Sequence, residues 1–358
     1  MRFNRFARVV MLVATLFPLG ACANSGGDGP AIAFLMPESE TLRYDAKDRP
    51  AFIAKVKDLC PDCKVIYSNA DGDPAKQQQQ AEAALTNGAA VLVLDPADSA
   101  SAAVIARRAK AAGVPVIAYD RLVENAPVDY YVSFDNEKVG ELQGQGIVDV
   151  LSAKGMPNGR VVMLNGDPKT ATARQFKTGA EKALHASAVQ IVKSFDTPDW
   201  SPSNAQREMD QAIAILGPAG FDAVYAGNDD LAGGAVAAMK SAGIDPSTRP
   251  LVGQDATLAG VQRIVDGEQY LTIYKAIPLE ANAAAQLAVG LTKGQKPDGA
   301  TLNGTINNGA GDVPAILLDP VAVTQKDLRD TVIDDGYWSV GDICTEGYVQ
   351  ACSTLGIK

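Results

Sequence analysis

The chain has 358 residues, 47% hydrophobic and 21% charged, with 33 Gly and 20 Pro, an ordinary globular composition that excludes disordered and fibrous classes. Lys plus Arg number 32 against 42 Asp plus Glu, a net charge of −10, so the basic footprint of a nucleic-acid partner is missing. The single histidine, His185, gives no basis for a Ser–His–Asp triad or a multi-histidine metal centre.

The first residues read as a leader. Arg2, Arg5 and Arg8 precede the apolar run Val9–Leu19, which is shorter than the ~20 residues a membrane span needs. The run ends in Leu19-Gly20-Ala21-Cys22, which resembles a bacterial lipobox, in which Cys22 is lipidated once residues 1–21 are removed. Loss of that leader takes away three Arg and shifts the net charge from −10 to −13. Residues 22–30, including Asn24-Ser25-Gly26-Gly27-Asp28-Gly29, read as a flexible tether. The expectation is a soluble body anchored to the outer face of the cytoplasmic membrane. Four further cysteines, Cys60, Cys63, Cys344 and Cys352, suit disulfides in that compartment, and proximity suggests Cys60–Cys63 and Cys344–Cys352 among the three pairings possible. Redox and zinc readings are weaker: Cys60-Pro61-Asp62-Cys63 follows a helical run instead of opening one, and the second pair lacks close spacing.

From Ala31 onward, short apolar runs alternate with helix-period stretches. Ala31–Met36, Lys64–Tyr67, Val91–Leu94, Pro115–Tyr119 and Tyr130–Phe134 predict strands, separated by helices at Ala46–Leu59, Pro74–Thr86 and Ser99–Ala112. Gly88 and Gly113 stand at expected helix stops. After a long helix, Glu137–Ala153, a second series predicts strands at Val161–Leu164, Val189–Phe195, Ala223–Ala226, Leu251–Gly253 and Leu271–Tyr274. Helices at Thr170–His185, Pro202–Leu216, Leu231–Ala242, Leu258–Asp266 and Pro278–Leu291 alternate with them. Continuous apolar strands between helices imply α/β architecture with parallel sheets covered on both faces. Ten strands exceed one comfortable doubly wound sheet, so two lobes are expected, with crossovers near Phe134–Asp135, Tyr274–Pro278 and Leu317–Val323. Residues 31–134 with about 276–318 would form one lobe; 135–275 with about 319–358 would form the other. Several crossings make a hinge.

Ligands of open α/β sheets bind beyond the carboxyl ends of strands. Those ends deliver Asp120-Arg121, Asp135-Asn136, Asn228-Asp229-Asp230, Gln254-Asp255 and Lys275. Carboxylates, amides and cations together suit a polyol, whose hydroxyls both donate and accept. An aromatic plate for the sugar's C–H face could come from Trp200 or Tyr44. Asp135, Asp229 and Asp230 also fit plain helix starts, whereas Arg121 and Lys275 do not, since cations are unfavourable at helix N-termini. His185, at a helix end, fits a solvated dipole partner. Gly144-Gln145-Gly146 lies within a helix and is no dinucleotide fingerprint, and there is no Walker motif or nucleophile elbow. Asp334-Asp335 falls in an exposed C-terminal segment, which leaves Asp229-Asp230 as the carboxylate pair for a rival glycoside-cleaving reading.

The blocks Val116-Ile117-Ala118-Tyr119-Asp120-Arg121, Ser133-Phe134-Asp135-Asn136-Glu137-Lys138-Val139-Gly140, Gly253-Gln254-Asp255-Ala256 and Val332-Ile333-Asp334-Asp335-Gly336, with Asn228-Asp229, Gly233-Gly234 and Tyr274-Lys275, resemble the periplasmic sugar-binding proteins of ABC importers. The similarity runs from about Ala31 to about Gly336. It implies a type I binding-protein fold, two lobes closing over one sugar through three hinge segments. Residue by residue, it implies that Asp120, Arg121, Asn136, Asn228, Asp255 and Lys275 hydrogen-bond the sugar and that Trp200 stacks on it. Arg43-Tyr44-Asp45-Ala46-Lys47-Asp48 resembles the family's Arg-Trp segment, which adds Arg43, Tyr44 and Lys47 to the candidate ligand residues. Here Tyr44 replaces Trp and the spacing to Lys47 is one residue longer, and the segment with Cys344 and Cys352 lies outside the family pattern. The expected protein is a monomeric, non-enzymatic receptor with no cofactor or metal. It would deliver a pentose or related polyol to a membrane permease and its ATPase. A sensing module for a membrane receptor is the alternative.

Overall fold

The computed structural model describes residues 29–357 apart from 298 and 300; the leader, Cys22 and most of the tether lie outside the described residues. In chain order come β1 (Ala31–Met36), α1 (Arg49–Leu59), β2 (Lys64–Asn69), α2 (Pro74–Thr86), β3 (Ala89–Leu94), α3 (Ala103–Ala111), β4 (Val116–Tyr119) and β5 (Tyr130–Phe134). The chain continues through α4 (Asn136–Ala153), β6 (Arg160–Asn165), α5 (Ala171–His185), β7 (Gln190–Asp196), α6 (Pro202–Leu216), β8 (Ala223–Ala226), α7 (Asp229–Ser241), β9 (Leu251–Gln254), α8 (Leu258–Asp266) and β10 (Leu271–Tyr274). It ends with α9 (Ile277–Thr292), β11 (Gly304–Asn307), β12 (Asp312–Leu318), β13 (Val321–Val323), α10 (Val340–Ile343) and α11 (Val349–Thr354).

Two sheets result, ordered β11-β12-β5-β4-β3-β1-β2 and β13-β10-β9-β8-β6-β7. All pairings are parallel except β11 with β12 and β13 with β10. Within each sheet the first five strands follow the doubly wound order 2-1-3-4-5, so each lobe has its own switch point, where the connections diverge and leave a crevice. Alternation along β1 shows why both faces are covered. Ala33 and Leu35 enter one core with α2 and α3, while Ile32, Phe34 and Met36 enter another with α1 and α9. The second lobe repeats this with a large core around β6, β8 and α4–α7 and a smaller one around α8 and the C-terminal helices.

The chain passes between the sheets at β5–α4, β10–α9 and β12–β13, and the Asp135 amide donates to the Leu318 carbonyl across two of these crossings at 3.1 Å. Gly88 and Gly113 end α2 and α3 with φ of 76° and 71°, and Asp135 caps α4 by accepting from Lys138 N. Both disulfides join sequence neighbours, Cys60–Cys63 after α1 and Cys344–Cys352 between the last two helices.

Four local expectations are corrected. Asn228, not Asp229 or Asp230, caps α7, because its Oδ1 accepts from Leu231 N at 2.9 Å. Helix α3 begins at Ala103 because Ser99 is drawn to the other lobe: its amide donates to Lys169 O at 3.1 Å and its hydroxyl accepts from Ala171 N at 2.9 Å. The helix expected from Ala46 is a π-helical turn, Tyr44–Asp48, running into α1; this is where the spacing is one residue long, and a π-turn takes up an extra residue. Finally, β11–β13 and the two C-terminal helices add to the ten strands read from the sequence.

Candidate ligand-binding site

The carboxyl ends of both sheets face one another across a space of about 270 Å³, lined from the first lobe by Thr41, Arg43, Tyr44, Asp120 and Arg121. The second lobe contributes Thr172, Phe176, Trp200, Asn228, Gln254 and Asp255, and Lys275 comes from the β10–α9 crossing. Eight of the ten candidate residues therefore meet here. Asn136 does not line the space; its Nδ2 donates to Tyr131 Oη at 3.1 Å and Gln175 Oε1 at 3.0 Å. Lys47 lies elsewhere too, its ammonium 3.5 Å from the Trp338 ring centroid, because the π-turn directs it away from Tyr44. Thr41, Thr172 and Phe176 were not among the expected ligand residues; Gln254, delivered by the strand-end rule but not carried into the ligand set, lines the space as well.

The first-lobe half is ionic. Arg43 Nη2 lies 2.7 Å from Asp120 Oδ1, and Arg121 Nη2 donates to Glu38 Oε1 at 2.8 Å. Tyr44 donates to Asp120 Oδ2 at 3.0 Å, with the Arg43 and Arg121 guanidiniums 5.0 and 5.5 Å from its ring centroid. Asp120 has φ +53°, an unfavourable conformation that surrounding contacts must hold; Tyr131 Oη and Ser133 Oγ both donate to its carbonyl at 2.8 Å. Burial alone would raise the Asp120 carboxyl, but Arg43, Lys275 and Arg121 outweigh it and hold Asp120 at about 2.

Behind this row stand more carboxyls than cations. Burial pushes Asp48 up to about 7, against the pull of Arg43, and pushes Asp95 and Glu280 well above the usual range, helped in both by Asp120. With Asp95 and Glu280 pushed toward the neutral form and Asp48 near half-protonation at neutral pH, the excess of carboxyls around Arg43, Arg121 and Lys275 is reduced, as a low-dielectric interior demands.

The second-lobe half is flatter. Trp200, with φ +53° after Asp199 at +59°, lays its indole over Gly166: a Cβ there would overlap Cη2, and one on Gly227 would sit 3.3 Å from Cζ3. Phe176 meets the indole edge-on at 6.4 Å between centroids. Asp255, at φ +88°, lies 2.8 Å from Lys275 Nζ. Among the described residues, five of the seven non-glycine positive-φ positions (Asp120, Asp199, Trp200, Asp255 and Ala256) flank the cleft, the placement expected of a preorganised site.

The space is rich in unmet hydrogen bonding. Thr41 Oγ1, Thr172 Oγ1, Trp200 Nε1 and Gln254 Oε1 are buried without a partner, while Asp255 Oδ1 and both terminal nitrogens of Arg43 have only off-axis ion-pair partners, Lys275 for the first and chiefly Asp120 for Arg43. Such groups cost about 1–3 kcal/mol each until something pairs with them. Donors and acceptors in one enclosure, beside an indole, match a small polyhydroxylated ring. Asp229 belongs to a different network: its carboxyl, pushed up to about 7 by burial, accepts from Thr257 N, Gln269 Nε2 and Thr272 Oγ1. A carboxyl so occupied within one lobe, outside the lined space, is not placed to protonate a glycosidic oxygen.

Two similar lobes, three crossings and an enclosed polar space at facing switch points define a binding protein. This chain belongs to the periplasmic binding protein domain family, whose model matches residues 32–296. It is 39% identical over 295 residues to the D-xylose-binding periplasmic protein of Escherichia coli (strain K12), covering 81% of this chain and 86% of that protein. It is 34% identical over 289 residues to a multiple sugar-binding periplasmic receptor of Rhizobium radiobacter, covering 76% and 81%. Among solved structures it superposes on a carbohydrate transporter solute-binding protein from Chloroflexus aurantiacus in complex with D-glucose, with a TM-score of 0.80 and 30% identity, covering 88% of this chain and 98% of that one.

Proposed function

We propose that this protein is an extracytoplasmic receptor, lipid-anchored through Cys22, that encloses one monosaccharide, D-xylose or a related pentose or polyol, and presents it to an ABC permease and its ATPase. The observation that carries this reading is the convergence of Arg43, Tyr44, Asp120 and Arg121 with Trp200, Asn228, Asp255 and Lys275 on one space of about 270 Å³. The site does no covalent chemistry; sugar bridges both halves and shifts the population toward the closed form. The name of the 39% identical relative favours D-xylose. Calorimetric titration with pentoses, hexoses and sugar alcohols tests the reading: saturable one-to-one binding of a pentose with unchanged sugar recovered supports it, and no heat across the panel refutes it. Incorporation of labelled fatty acid, lost on Cys22→Ser, tests the anchor.

A further inference from the structure

Lys47 and the C-terminal segment make a contact that lies outside the lined space. Lys47 stands on the first lobe, in the π-helical turn that also carries Tyr44. Its ammonium lies 3.5 Å from the Trp338 ring centroid and 4.4 Å from that of Tyr337, and donates to the Tyr337 carbonyl oxygen. Both aromatics belong to the second lobe, packed with α8 and the last helices, and meet edge-to-face at 5.7 Å. On their other side they hold the turn that carries Asp255. Trp338 Nε1 donates to Ala256 O at 2.8 Å and Tyr337 Oη to Asp255 O at 3.4 Å. Asp255 and Ala256 have φ of +88° and +46°, a backbone that persists only where neighbours over-determine it.

We propose that Tyr337 and Trp338 are positioning residues forming a clasp: they fix the Asp255 turn on one side and capture Lys47 of the opposite lobe on the other. Closing the cleft and aiming Asp255 are then one event. The inference rests on the receptor reading above and adds a determinant of how long ligand stays enclosed. Apparent affinity scales with the fraction of molecules in the competent form, and a cation over an aromatic face outside the pocket raises that fraction without touching the ligand. The size of cation–π attraction between partly exposed and desolvated limits translates to a roughly three- to thirtyfold effect.

The test compares wild type, Lys47→Met, Lys47→Arg, Trp338→Leu and the Lys47→Met/Trp338→Leu double variant. D-xylose dissociation is followed by stopped-flow fluorescence. Interlobe distance is measured in ligand-free protein by electron–electron resonance between spin labels at Ala75 and Ser203, exposed at the starts of α2 and α6. Lys47→Met is expected to speed dissociation roughly three- to thirtyfold and to move the distance distribution toward the open form. Lys47→Arg should restore most of both, and the double variant should be no worse than the single ones. Dissociation and distances unchanged in Lys47→Met overturn the clasp. If wild type binds no sugar, the receptor reading fails, yet the distance distributions still decide the clasp, a shift in Lys47→Met supporting it and no shift overturning it.

Discussion

The first lobe meets the cleft with guanidinium and carboxylate groups, Arg43, Asp120 and Arg121, backed by a second row of buried acids. The second lobe, with the same 2-1-3-4-5 strand order, meets it with an indole, a phenyl ring, and hydroxyl and amide side chains, Asp255 being the carboxylate among its lining residues. One topology thus carries two kinds of recognition. An ionic half fixes hydroxyl directions through charge-assisted hydrogen bonds; a flat half accepts the ring face and is tuned by shape. The ionic half depends on charge balance across many residues, the flat half on the position of one ring.

The largest expected effect comes from breaking the ionic half at its centre. Asp120→Ala removes the group shared by Arg43, Tyr44 and Lys275, and losing one member of a buried charge network costs about 2–5 kcal/mol in binding. Calorimetry should show sugar affinity falling roughly thirtyfold or more, with circular dichroism confirming a folded protein; undiminished binding would falsify the site assignment. Arg121→Ala should fall in the same range, since Arg121 lines the same space.

The flat half is broken without touching a ligand-facing group. In Gly166→Ala the new methyl overlaps the Trp200 indole, and overpacking of this kind costs about 1–3 kcal/mol. Affinity should drop roughly tenfold and the Trp200 fluorescence should change even without sugar. Wild-type affinity with an unshifted spectrum would mean that the indole is not held against that glycine.

How much of this was legible beforehand divides along the same line. Asp120, Arg121, Asn228, Asp255 and Lys275 could be read because each ends an apolar strand whose both faces are buried, and parallel-sheet geometry sends strand ends to the crevice. Thr172 and Phe176 could not, since they come from the first turns of α5, where no strand-end rule applies. Asp48 and Glu280 reach the site from the π-turn and from α9, and a carboxyl on a helix looks solvated until packing encloses it. Lys47 entered the ligand set through the likeness of its segment to the family's Arg-Trp segment, and the π-turn that takes up the extra residue and redirects it cannot be told from a regular helix by pattern. Strands β11 and β12 escaped because an edge hairpin containing Pro314 and half-exposed positions lacks the continuous apolar run of the central strands.

The buried acids predict an unusual pH response. Asp48 and Asp229 titrate at about 7 in the folded protein, raised chiefly by burial, against about 3.9 in an unfolded chain. Between those values the folded state binds more protons than the unfolded one, so stability is greatest below about pH 4 from this source and declines as pH rises toward 7. The thermal midpoint should therefore fall by several degrees from pH 5 to pH 7.5, and Asp229→Asn should flatten that slope. A midpoint that climbs over this interval would mean that these carboxyls are ionised in the fold.

The smallest effect sharpens the contrast inside the ionic half. Glu280 sits in the first turn of α9 with Oε2 3.6 Å from Arg43 Nη1, and burial, followed by Asp120, pushes its carboxyl well above the usual range, toward the neutral form. Glu280→Gln therefore replaces one neutral group by another of nearly the same shape. Stability and affinity should change by less than about 1 kcal/mol, the worth of a single neutral hydrogen bond. Asp120→Asn, the same substitution a few ångströms away, removes a real charge from between Arg43 and Lys275 and should cost several times more. Measured side by side at pH 7 by calorimetry and thermal melting, the two amides separate an acid kept as a neutral filler from one kept as an anion. If Glu280→Gln proved as damaging as Asp120→Asn, the negative charge would have to be shared between both carboxyls.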